Sequence, residues 1–148
     1  MTDDQRRPVL NQLNLVVRDP EASVAFYRLL GVDLQAGVEW PPGSGARHIA
    51  ASFDGSFSLE IDNPPMLRLY ASQPEHVRGP IIGFSFPSTE AVDAAFQRLT
   101  QAGHPACQPP YDAFWGARYA IVEDPDGHQV GLMGPIDRAR GYLPTRPG

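Results

Sequence analysis

Few side chains in this sequence combine the type and the spacing that covalent or acid–base chemistry needs. The single cysteine, Cys107, follows His104 by three residues, and an imidazole at such a distance could activate a thiol. Nothing else in the sequence supplies electropositive surroundings, so we interpret Cys107 as a partly buried structural residue. One cysteine also excludes an internal disulfide and a cysteine-rich zinc site. The chain contains no lysine, which excludes Schiff-base chemistry and a catalytic lysine.

The four histidines offer few further options for acid–base or metal chemistry. His76, His104 and His128 fall in predicted loops or just after a turn, and we expect each to be solvated at the surface. His48 falls on a predicted hairpin strand beside the strand that carries Glu60. If His48 points inward it could act next to Glu60, and the sequence leaves that direction open.

The length and composition are those of one ordinary globular domain. The chain has 148 residues, of which 42% are hydrophobic and 20% are charged. A net charge of −5 and the lack of a basic run argue against nucleic-acid binding. No apolar run is long enough to cross a bilayer, and the polar residues 1–8 lack the apolar core of a signal peptide. We therefore expect a cytoplasmic protein with neither a nucleic-acid partner nor a membrane partner.

The elements that must position these groups follow one plan in both halves of the chain. The first half begins with an alternating strand at residues 13–17. A helix follows, beginning at Asp19 as its cap and ending at Gly31. A hairpin that turns at Asp54-Gly55 completes this half, since Asp-Gly between two alternating runs is a strong hairpin signal.

The second half repeats that order with different residues. Residues 82–86 alternate as a strand, Ser88 begins a helix that Gly103 ends, and a hairpin turns at Asp126-Gly127. The tripeptide Gly-Ala-Arg also precedes the hairpin strand in both halves. A shared order with nearly constant spacing indicates two related structural modules.

We therefore predict one domain over the 148 residues, made of two tandem βαβββ modules. Module one covers about residues 9–63, and module two covers about residues 80–135. The linker at 64–79 is predicted to be rich in loops, with a possible short strand at 67–70. The tail at 136–148 is either a contact for a partner protein or disordered.

Two motifs make the chain similar to a known superfamily. They are Leu15-Val16-Val17-Arg18-Asp19 with Ala25-Phe26-Tyr27 and Leu30-Gly31, and Val122-Glu123-Asp124-Pro125-Asp126-Gly127-His128. The resemblance covers about Leu10 to Met133 and is to the vicinal oxygen chelate superfamily of glyoxalases, bleomycin resistance proteins and dioxygenases. It implies an α+β fold in which two βαβββ modules curl a mixed sheet into a cup, with helices outside, and it favours a homodimer.

The same resemblance implies where a metal would sit, and the residues at those places are an incomplete ligand set. Metal-bearing members hold the ion on four side chains that point into the cup. The matching positions here are Gln12, Glu60, Ile81 and Gly131, and the last two have no side-chain donor. We therefore expect a member without a metal or other cofactor, and His48 could add a third ligand only by pointing inward.

Strand alternation then predicts which side chains line the cup. If Gln12 and Glu60 face inward, side chains two residues away on the same strands face inward as well. Aromatic residues near the hairpins could supply apolar walls for stacking against a flat ligand. The predicted ligand-binding residues are Gln12, Asn14, Trp40, His48, Ser58, Ser85, Phe114, Trp115, Arg118 and Tyr119.

The function favoured by these patterns is binding of a small hydrophobic or aromatic molecule without a metal. One alternative is a lyase or isomerase similar to lactoylglutathione lyase, with Glu60 as general base and Arg47 or Arg118 stabilising an enediolate. A metal-dependent dioxygenase and a non-catalytic partner-binding domain are further alternatives. Glu60 could also be paired with Arg47 or Arg118 in a purely structural contact.

Overall fold

The computed structural model describes residues 7–30, 32–53, 55, 57–77, 79–123, 125 and 127–144. The predicted turn residues Asp54, Asp124 and Asp126 and the predicted helix end at Gly31 lie outside this described part. The elements, in chain order, are β1 Val9–Val16, α1 Pro20–Leu30, β2 Val38–Glu39, β3 Arg47–Phe53, β4 Phe57–Asp62, α2 Pro64–Tyr70, β5 Ile81–Ser85, α3 Thr89–Gln101, β6 Ala106–Asp112, β7 Arg118–Glu123 and β8 Gln129–Met133, with single 3-10 turns at Pro74–His76 and Arg138–Arg140.

Eight strands form one mixed sheet in the order β2-β3-β4-β1-β5-β8-β7-β6. In the first half β1 runs parallel to β4, and in the second half β5 runs parallel to β8. The halves join where β1 pairs antiparallel with β5, with Gln12 opposite Gly83 and Asn14 opposite Ile81. The predicted α+β fold of two βαβββ modules is thus confirmed, and both modules of one chain contribute to the same sheet.

One helix of each module covers the outer face of the sheet. On α1, Val24 packs with Leu34, Ile49 and Ile61 in one buried cluster. On α3, Val92 and Ala95 pack with Ala120 and Leu132 in another. The odd-numbered side chains of β4 therefore face α1, which turns Glu60 and Asp62 toward the inside of the cup. Across the described residues, none of the helices is long and apolar enough to cross a membrane.

The linker forms a helix where a short strand at residues 67–70 was predicted, so that prediction was wrong. Asn63 caps α2 by accepting a hydrogen bond from the Met66 backbone N–H at 3.1 Å, and prolines occupy the first turn. Met66, Leu67 and Tyr70 are buried against second-module residues. The linker helix thereby closes one side of the cup.

The Asn63 side chain also connects α2 to the first module by hydrogen bonds. Substituting Asn63 therefore tests whether α2 is fixed to the sheet in this way. Its Oδ1 accepts from the Arg47 backbone N–H at 2.9 Å, and its Nδ2 donates to the Gly45 carbonyl at 2.8 Å. We expect Asn63→Ala to lower the free energy of unfolding by about 2 kcal/mol, because it removes a cap and leaves buried groups unpaired. Guanidinium denaturation measures this.

The matched control is Gln97→Ala, at an exposed position on α3. Its free energy of unfolding should stay within about 0.5 kcal/mol of the parent chain. Equal stability of the Asn63 and Gln97 variants would contradict the proposed link between α2 and the sheet.

Candidate ligand-binding site

A cavity of about 860 Å³ occupies the cup. The strands of the first module provide its polar wall, and the second module with the linker helix provides its aromatic wall. Residues 136–143 border it at one edge. The polar wall comprises Gln12, Asn14, His48, Glu60 and Asp62, and the aromatic wall comprises Tyr70, Phe114, Trp115 and Tyr119 with Met66 and Met133.

The polar wall is organised around Asp62, whose side chain is only 1% exposed. Its Oδ2 accepts hydrogen bonds from Asn14 Nδ2 and from the Tyr70 hydroxyl, each at 2.9 Å. Its Oδ1 lies 2.5 Å from His48 Nδ1. A buried carboxylate requires such partners, because an unpaired charge away from water is very costly. Asp62 therefore fixes three side chains from three different elements.

Glu60 lies next to this group and faces the cavity. Gln12 Nε2 donates a hydrogen bond to Glu60 Oε2. The other carboxylate oxygen lies 3.9 Å from His48 Nε2. His48 therefore stands between two carboxylates, bonded to Asp62 through Nδ1 and facing Glu60 through Nε2.

These contacts set the charge states of the polar wall. Burial lowers the pKa of His48, but the hydrogen bond and charge of Asp62 and the charge of Glu60 outweigh it, so the pKa rises from 6.5 to about 9. Burial raises the pKa of Glu60, His48 opposes that rise, and Asp62 adds to it. An imidazolium paired with Asp62 is therefore the expected form at neutral pH.

The aromatic wall is a set of rings that hold one another in place. Trp115 makes edge-to-face contacts with Phe114 and Tyr119, with ring centroids 4.9 and 5.0 Å apart. Tyr70 approaches both Trp115 and Tyr119 at 6.2 Å. Trp40, from the first module, stacks at a tilt on Phe114 with ring centroids 5.5 Å apart. Fixed rings of this kind offer a flat ligand a preformed surface.

Most predicted site residues border the cavity, and three do not. Those that border it are Gln12, Asn14, Trp40, His48, Glu60, Phe114, Trp115 and Tyr119. Ser58, Ser85 and Arg118 are not among the cavity-lining residues of the described chain. The Arg118 guanidinium turns to α3, where its Nε donates to Asp93 Oδ1 at 2.9 Å.

Neither suggested arginine partner of Glu60 is near it. Arg47 pairs with Glu21 and donates to the Gly37 carbonyl, while Arg118 pairs with Asp93 and Asp112. The suggested structural pair is therefore wrong, and neither arginine is placed to stabilise an enediolate. Both guanidinium groups are drawn to acidic residues outside the cavity.

Sequence reasoning missed Asp62, which fell within module one but was not among the predicted ligand-binding residues. The signal was present, because Ser58-Leu59-Glu60-Ile61-Asp62 continues a strict alternation and puts Asp62 on the same face as Glu60. It also missed Arg138, which borders the cavity from the tail. No local pattern indicates that contact, because it depends on where the tail folds back.

The residues present do not fit the metal that other superfamily members hold. Gln12 and Glu60 bond to each other, and Ile81 is buried with no donor atom. At Gly131 an added Cβ would lie 3.0 Å from the Tyr119 hydroxyl oxygen, so a longer ligand would not fit without a shift. In the described part of the chain, no three His, Cys, Asp or Glu side chains are grouped to hold a metal ion.

The His48–Asp62 contact generates a prediction about proton binding. We expect His48 to titrate near pH 9, and Asp62→Asn should bring its pKa back toward 6.5, because the desolvation remains while the opposing charge is lost. The raised pKa stabilises the fold fully below pH 6.5, and this contribution is lost as the pH rises through about 9. Solvent screens part of it, because the His48 side chain is 43% exposed.

Proton NMR of the imidazole Cε1–Hε1 signal, assigned with His48→Gln, measures this pKa. Asp93→Asn is the matched control, because that carboxylate pairs with Arg118 instead of His48. A parent His48 that titrates at or below 6.5 would contradict the geometry.

Two mycobacterial proteins are relatives of this chain by sequence. An uncharacterised protein of Mycobacterium bovis is 31% identical over 124 residues, covering 83% of this chain and 81% of the relative. An uncharacterised protein of Mycobacterium tuberculosis is also 31% identical over 124 residues, covering 83% of this chain and 72% of the relative.

Solved structures share the fold at low identity. Methylmalonyl-CoA epimerase from Mycobacterium tuberculosis has a TM-score of 0.61 at 18% identity, covering 88% of this chain and 89% of that one. A hypothetical protein from Bacillus halodurans has a TM-score of 0.64 at 15% identity, covering 89% and 97%. The model of the glyoxalase/bleomycin resistance protein/dioxygenase superfamily matches residues 9–132, and the chain therefore belongs to that superfamily.

Proposed function

We propose that this protein binds a small molecule with a flat hydrophobic or aromatic body in the cavity of its cup, without a metal. The observation that carries the proposal is the division of one cavity into an aromatic wall and a hydrogen-bonding wall. Ligand pockets usually combine apolar surfaces with a few placed polar groups. The volume of about 860 Å³ suits a molecule of several rings.

Each wall supports a separate part of recognition. The rings of Trp115 and Tyr119 offer edges and faces for stacking. Glu60 Oε1 is left for a donor group of the ligand, because Gln12 bonds the other oxygen. Asp62 is fully used by protein donors, so it shapes the wall and leaves contact with the ligand to Glu60 and His48.

The intrinsic tryptophan fluorescence of the protein can be used to detect ligand binding in the cavity. Its two tryptophans, Trp40 and Trp115, both border the cavity. A ligand that enters should therefore change the intrinsic tryptophan fluorescence and raise the melting temperature by mass action. A panel of planar aromatic compounds and glycopeptide drugs that changes neither signal would count against the proposal.

A larger side chain that fills part of the cavity should weaken the binding of a small molecule there. Ala50 is half-buried on β3, borders the cavity and lies opposite Glu60 in the strand register. For any compound of the panel that binds, we expect Ala50→Leu to lower the affinity by about tenfold or more, because the larger side chain occupies space that the ligand needs. Fluorescence titration measures the affinity.

Ala25→Leu is the matched control, at an exposed position on α1 outside the cavity. It should leave the affinity unchanged. If the two leucine variants behave alike, the bound compound occupies some other place.

A second candidate function is proton transfer at Glu60, and one observation favours it. Burial raises the pKa of this carboxyl while it faces the cavity, and a raised pKa makes the carboxylate a better proton acceptor. The carboxylate would take a proton from a carbon next to a carbonyl, leaving an enolate and a neutral Glu60, and would return the proton to the same or a neighbouring carbon. The charged His48 is placed to stabilise the negative enolate oxygen.

Deuterium exchange tests this second candidate. In deuterated water we expect the parent chain to exchange the carbon-bound proton of methylmalonyl-CoA or of the methylglyoxal–glutathione hemithioacetal. Glu60→Gln should lower that rate by at least about a hundredfold, because the amide cannot accept the proton. If the parent chain and the Glu60→Gln variant exchange deuterium at the same rate, or if the parent chain exchanges none, the proposal of proton transfer at Glu60 fails. The proposed binding function is not affected by either result.

A further inference from the structure

The C-terminal segment, residues 134–143, borders the cavity although it lies beyond the superfamily match, which ends at residue 132. Part of the rim is therefore built by residues beyond the stretch that the superfamily model matches. Such a segment can set ligand preference without changing the cup itself. The rim residues from this segment are Ile136, Arg138, Gly141, Tyr142 and Leu143.

The segment is fixed to the loop that follows β6. The Asp137 backbone N–H donates to the Gly116 carbonyl at 2.8 Å, and the Tyr142 backbone N–H donates to the Phe114 carbonyl at 2.8 Å. The Tyr142 hydroxyl donates to the Asp112 carbonyl at 2.6 Å. Gly116 has a φ of 93°, and a Cβ there would lie 2.1 Å from the Asp137 carbonyl oxygen. Contacts at both ends hold Arg138 at the rim.

The guanidinium group of Arg138 differs from those of Arg118 and Arg140 in having no protein partner among the described residues. Arg118 is held by Asp93 and Asp112, and Arg140 reaches Asp112 at 3.4 Å. Arg138 is exposed and borders the cavity. A guanidinium with its donors available matches the two oxygens of a carboxylate.

The charges of the cavity also decide where an acidic group of a ligand would lie. Deep in the cup a ligand carboxylate would meet Glu60, whose negative charge repels it, and His48, whose positive charge is already shared between Asp62 and Glu60. At the rim it would meet Arg138. A flat acid would therefore enter with its ring against the aromatic wall and its carboxylate toward the tail.

We propose that Arg138 is a specificity-determining residue that selects aromatic ligands carrying a carboxylate. This inference rests on the proposed binding function. It adds the chemical class of the ligand and the end of the cavity at which its charge lies.

A matched pair of probes tests the proposal: 2-naphthoic acid, which carries a carboxylate at neutral pH, and 2-naphthamide, which is neutral and nearly the same shape. Tryptophan fluorescence gives both affinities. In the parent chain the acid should bind at least about fivefold more tightly than the amide. Arg138→Gln should lower the affinity for 2-naphthoic acid by about tenfold and change the affinity for 2-naphthamide by less than twofold.

Arg140→Gln is the control, because it removes a guanidinium two residues away that pairs with Asp112 instead of bordering the cavity. It should leave both affinities unchanged. Raising the salt concentration should weaken the acid alone, since the contact is exposed.

The outcomes separate the two proposals. If both probes bind and Arg138→Gln weakens them equally or not at all, the selection by Arg138 is overturned and the binding function stands. If neither probe binds the parent chain, the binding of flat aromatic molecules fails, and the selection by Arg138 fails with it.

Discussion

A buried carboxylate is the constraint on which the candidate site depends. Asp62 is removed from water at the end of β4, and the fold compensates with three donors from β1, β3 and α2. The hydrogen bond between His48 and Asp62 fixes the orientation of the imidazole ring. The hydrogen bond from Tyr70 to Asp62 holds the linker helix α2 against the cup. The polar wall, the charge of the imidazole and the closure by α2 therefore have one common cause.

The two modules share a backbone plan and differ in what they place inside the cup. The inner face of the first module carries hydrogen-bonding groups such as Gln12 and Glu60. The equivalent places in the second module hold Ile81, which is buried in the apolar core, and Gly131, against which the Tyr119 ring packs. This asymmetry disfavours the four-ligand metal site of other members and produces a cavity with two chemically distinct walls.

The sequence predicted the fold and much of the polar wall, because repeated turns and strict alternation are local signals. The superfamily resemblance placed Gln12 and Glu60 inward, and strand parity then placed Asn14 inward with them. Contacts that depend on long-range folding were not predictable in this way. The direction of Arg118 is set by Asp93 on a distant helix, and the position of Arg138 is set by how the tail returns to the β6–β7 loop.

A crystal structure of the protein soaked with 2-naphthamide would show whether the cup is the binding site. We expect density for the ring system inside the cup, against Trp115 and Tyr119, with the amide nitrogen within hydrogen-bonding distance of Glu60. Density for the compound only on the outer surface, or a cup filled by the protein's own side chains, would contradict it.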